Sequence, residues 1–88
     1  MNAQEIIDQI PDDTLLSIIN KANELTWNFL ALKVMLARLK LKLSMMDNDI
    51  ARQQSCRDLR DLFRKSRNIP NAQKDMQLIA EQFGTPFA

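Results

Sequence analysis

An 88-residue chain with one glycine, three prolines and one cysteine is too short for more than one domain and too poor in turn residues for a sheet protein. Its 45% apolar content is too high for a disordered segment, and the absence of histidine beside a lone thiol removes the usual general base and the makings of a zinc site. The formal net charge is +1, yet five acids stand against one base from Met1 to Leu32 and ten bases against four acids from Lys33 to Arg67; that polarity suits an anionic partner for the middle or antiparallel pairing of the two ends.

In chain order, Asn2 and Glu5 fit a capping-box start for a short helix over residues 3–10 carrying Ile6, Ile7 and Ile10. Pro11 ends it, because the residue before a proline is pushed out of the helical region. Pro11, Asp12 and Asp13 then open the next helix, with two carboxylates at the positive end of its dipole.

The strongest pattern follows. Leu15, Ile18, Ala22, Leu25, Phe29, Leu32, Leu36, Leu39, Leu43, Met46 and Ile50 alternate spacings of three and four, the period of a coiled-coil-like seam. A long central helix over residues 12–46 is the expectation. Neither glycine nor proline interrupts the chain from Asp12 to Ile69, so the turn, if there is one, falls at Asp47-Asn48-Asp49, residues that cap and turn readily. The seam register fails after Ile50, where the next positions are Gln53 and Arg57, which favours a hairpin with a second helix over residues 49–67 above one continuous rod.

At about 100° per residue the long helix has a second apolar face, nearly opposite the seam, made of Trp27, Leu30, Val34, Ala37, Leu41 and Met45. Lys33 and Lys40 lie on one flank and Arg38 and Lys42 on the other. A helix apolar on two sides must pack on two sides, and a returning helix of about 18 residues, roughly 27 Å, covers only part of one. Trp27, Leu30, Val34, Leu41 and Met45 are therefore the candidate partner-binding residues, and the bundle is expected to be completed by a second copy or another protein. The alternative is that the chain ends wrap round to close a four-helix bundle alone.

Arg57, Arg60, Arg64 and Arg67 form a basic stripe on the second helix. Asp58 and Asp61 stand beside it, so a salt-bridged solvated face, an acidic partner or the chain's own acidic N-terminal arm are its readings, with nucleic acid behind them for want of a docking motif. Cys56 falls on the apolar side with Leu59 and Phe63 as a small hydrophobe. Asp12-Asp13 and Asp47-Asn48-Asp49 are explained as caps and turns, so neither metal nor cofactor is expected. Ile69-Pro70 closes the second helix, Asn71 is a candidate cap for a short helix over residues 71–83, and Gly84 stops it, leaving residues 84–88 as a tail in which Phe87 either folds back or stays loose.

These features predict a single all-α domain over residues 1–88, a helical hairpin or bundle with short terminal helices completed by oligomerisation, and no enzyme. The expected function is a cytoplasmic protein-interaction module, a small adaptor, chaperone or inhibitor that buries an apolar helix face against itself or a partner, with no membrane span. A dimeric nucleic-acid-associated regulator using Arg57–Arg67 is the alternative.

Overall fold

The computed structural model describes residues 3–85 and Phe87. Among these the chain is all-α, with helices α1 (Ala3–Asp8), α2 (Asp12–Asn20), α3 (Leu30–Met45), α4 (Asp49–Ser66) and α5 (Pro70–Phe83), and a 3₁₀ turn at Ala22–Glu24 between α2 and α3. The Asn2 cap lies outside the described residues.

The helix expected over residues 12–46 is two helices. An unbroken one would run roughly 52 Å at 1.5 Å per residue, whereas the folded chain measures 32 × 26 × 21 Å. The break spans Lys21–Phe29, where no glycine or proline marks it. Asn20, Asn23, Thr26 and Asn28 make this the weakest helix-forming stretch inside the seam. Trp27 fastens it locally: the indole Nε1–H donates to the Ala22 carbonyl at 2.6 Å.

A residue of α5 completes the break. Asp75 is fully buried, and its Oδ1 accepts from the Asn28 backbone N–H at 2.7 Å and the Asn28 side-chain amide at 3.0 Å, while Oδ2 accepts from the Phe29 N–H at 2.8 Å. Phe29 is the N-cap of α3 and caps nothing with its own side chain. Asp75 therefore does from a distant helix what the Glu of a capping box does locally, accepting the N-cap residue's N–H with negative charge at the positive end of the α3 dipole.

The hairpin turn falls where its residues predict. Asn48 caps α4 by accepting the Ala51 N–H at 2.9 Å through Oδ1. The seam does not cross this turn, however: Met46 is 55% and Ile50 80% exposed. Their spacing matched the seam by coincidence, because the chain reverses between them.

The helix that organises the core is α4. It buries Ala51, Cys56, Leu59 and Phe63 along one face, and α1, α2 and α3 all pack on it. Opposite lie Ile7 and Ile10 from the N-terminal segment, Leu15, Ile18 and Ile19 from α2, and Leu32, Leu36, Leu39 and Leu43 from α3. α5 starts with Pro70 at its first turn, so the expected cap Asn71 sits inside the helix and Ile69 takes the N-cap position. Its buried face is Ala72, Asp75, Met76 and Ile79. Gly84, at φ 67°, adopts the left-handed conformation that glycine reaches without Cβ strain, and its N–H donates to the Ala80 carbonyl. The tail then returns Phe87 onto the core, edge-on to Phe63 with ring centroids 5.1 Å apart.

Candidate functional site

The fold separates the five residues expected on one binding face. Trp27 is half-buried in the loop before α3 and packs against the core, so the loop that breaks the long helix also removes it from the face. The other four remain together on the outer side of α3, where Leu30 is 71%, Val34 39%, Leu41 61% and Met45 74% exposed. Ala37, also exposed, lies between them. At about 100° per residue these five fall within an arc of about 80°, running roughly 22 Å along the helix. The inner face of the same helix, Leu32, Leu36, Leu39 and Leu43, is the buried one.

Cations border the stripe on both sides. Lys33 and Lys40 lie on one flank and Arg38 and Lys42 on the other, and α3 carries no acidic residue. Among the described residues none of these four cations forms an ion pair. Near the end of α3, Arg38, Leu41, Lys42, Met45 and Met46 line a shallow depression of about 330 Å³. Met46, read from the sequence as seam, instead joins Leu41 and Met45 in that depression, and Ile50 is exposed on α4.

Half of the basic stripe on α4 is occupied. Arg60 donates through Nη2 to the Ile10 carbonyl at 2.7 Å and to Asp12 at 2.6 Å. Arg64 bridges Asp8 and Asp61, and the hydrogen bond it donates to Asp8 raises its already high pKa, holding the guanidinium charged. The acidic N-terminal arm thus folds back on the basic helix of its own chain, leaving Arg57 and Arg67 exposed at the two ends of the stripe.

No family model, curated protein or solved structure matches this chain.

Chemically reactive groups are sparse. Cys56 is buried, with its thiol facing the Asp12 carbonyl at 3.8 Å. Burial, and then the nearby Asp12 charge, push its pKa up, which disfavours the nucleophilic thiolate. Among the described residues no cluster of three or more His, Cys, Asp or Glu side chains is placed to hold a metal ion, and no helix is long and apolar enough to cross a membrane.

Asp75 is the positioning residue that sequence reasoning overlooked. A signal for it existed: it is the one charged side chain on the otherwise apolar face formed by Ala72, Met76 and Ile79. A carboxylate in that position needs buried donors, and the α3 N-terminus supplies them.

Proposed function

We propose that this chain is a non-enzymatic protein-interaction module, a small helical adaptor, chaperone or inhibitor, whose docking surface is the outer face of α3. A single observation supports this: Leu30, Val34, Leu41 and Met45 stand exposed in one continuous stripe, on a helix whose opposite face already closes the core. Monomeric proteins seldom leave such a row of large apolar side chains in water without a use for it.

Covering a large aliphatic side chain completely contributes about 1.5–3 kcal/mol. Four partly exposed ones contribute on the order of 4–7 kcal/mol before losses, comparable with the roughly 4–15 kcal/mol that association costs in lost freedom. Flanking contacts must supply the surplus, which favours reversible docking over an obligate complex. The engagement of Arg60 and Arg64 by Asp12 and Asp8 favours a protein partner over nucleic acid, since half of the basic stripe is already neutralised.

The test is affinity capture from native lysate with matched variants. Leu41→Glu should abolish recovery of a stoichiometric partner while leaving the circular dichroism spectrum unchanged, and Arg57→Glu/Arg67→Glu should leave recovery intact. Loss of capture with the arginine variant but not with Leu41→Glu would refute the proposal.

A further inference from the structure

Building on the docking role of α3, we infer that its occupant is an acidic amphipathic helix of another protein, lying along α3 with its apolar residues on the stripe and its carboxylates over the flanking cations. The shape of the face points to a helix. Leu30, Val34, Ala37 and Leu41 follow spacings of four, three and four, the rhythm by which one helix presents knobs and holes to another. The arc is narrow, as a two-helix seam is, and small Ala37, midway along the length of the stripe, leaves room for a large apolar side chain from the partner.

Charge selects among helices. Lys33 and Lys40 line one edge and Arg38 and Lys42 the other, with no acid on α3 and no ion pair to any of them among the described residues. A second copy docked α3 to α3 would bring eight cations around one seam. None of the chain's carboxylates lies on α3 to offset them: Asp8, Asp12, Asp47, Asp49 and Asp61 are engaged by arginines, Asp75 is buried at the head of α3, and the others belong to other segments. A helix edged with Glu or Asp instead meets complementary charge on both flanks, which sets orientation and rejects wrong partners.

The test uses two designed peptides of about 18 residues that share one leucine stripe and differ in having glutamate or lysine at the flanking positions, titrated against the intact chain at low and high salt. The glutamate peptide should bind in the range of tens of micromolar or tighter, at least about tenfold more tightly than the lysine peptide, with the preference shrinking as salt rises. Leu41→Glu should remove binding of the glutamate peptide. Reversal of two flanking charges, Arg38→Glu/Lys42→Glu, takes the flanks from four cations to two cations and two anions and should abolish the preference, with the circular dichroism spectrum verifying that the fold persists.

Equal affinity for the two peptides, or no binding of the glutamate peptide, would overturn the inference. If the free chain sediments as a dimer that Leu41→Glu disperses, the occupant is a second copy: the inference fails while α3 remains a docking face. Binding to equimolar phosphatidylcholine/phosphatidylglycerol vesicles that Leu41→Glu abolishes, with neither peptide bound, would assign the face to an anionic lipid surface and overturn both the inference and the protein-docking role. A monomer that binds neither peptide nor vesicle and whose captured partner is insensitive to Leu41→Glu would also remove both.

Discussion

Replacing Asp75 with asparagine keeps the volume of the side chain and removes its charge, at a residue with no exposed surface. Two effects oppose each other. Burying a carboxylate costs several kcal/mol, so neutralising it relieves that penalty. Against this, the carboxylate accepts three hydrogen bonds at 2.7, 3.0 and 2.8 Å from the entry to α3, and bonds to a charged acceptor contribute roughly 1.5–3 kcal/mol each. Asparagine retains one acceptor oxygen and turns an N–H donor towards the donors that Asp75 had satisfied. It also removes negative charge from the helix N-terminus, a loss of about 0.3–2 kcal/mol. Part of the loss is recovered because Asn28 is exposed and its side-chain amide can return to water. The hydrogen bonds win, and the net expectation is destabilisation by about 2–3 kcal/mol for Asp75→Asn and about 3–4 kcal/mol for Asp75→Ala.

For a chain of this size each kcal/mol corresponds to about 4–8 °C in Tm, so thermal unfolding followed by circular dichroism should show Asp75→Asn melting roughly 10–20 °C lower. Amide exchange gives the local readout: Asn28 and Phe29 should lose protection more than the centre of α4. A variant whose Tm stays within about 2 °C of the parent, or rises, would refute the reasoning, because the relief of desolvation would then match or exceed the capping bonds.

Trp27→Ala should destabilise the folded chain by about 2–3 kcal/mol in urea titration, since it removes core packing and the bond to Ala22; an effect on binding alone, with stability unchanged, would return Trp27 to the interface. Leu41→Glu, on the exposed face, should alter Tm by no more than a few degrees, roughly 0.5 kcal/mol. In a double-mutant cycle the Arg60–Asp12 pair should show a coupling of about 0.2–1 kcal/mol, falling with salt, because Asp12 is more than half exposed. The buried Cys56 thiol, its pKa raised by burial, should react with iodoacetamide far more slowly in the folded than in the unfolded chain. Because the folded state holds that proton more tightly, Cys56 leaves stability unaffected below the ordinary thiol range and lowers it as pH climbs through that range; the alkaline loss of stability measured by urea titration should therefore be smaller in Cys56→Ala.

The sequence alone determined the helical class, the turn at Asp47–Asp49, the stop at Gly84 and the two-faced character of the segment that became α3, because all of these depend on short-range spacing and local cap chemistry. Of the expected binding residues, Leu30, Val34, Leu41 and Met45 emerged together on that outer face for the same reason. Local pattern could not reveal that the seam breaks at Lys21–Phe29. Leu15 to Phe29 kept perfect helical spacing there, and the decisive partner, Asp75, is 46 residues beyond Phe29. The tertiary structure likewise decided which side of α3 faces the core, since both sides are apolar and only the packing of α2 and α4 distinguishes them. It also committed Arg60 and Arg64 to the chain's own N-terminal acids, an encounter that depends on how the helices fold back and that spacing along one helix cannot express.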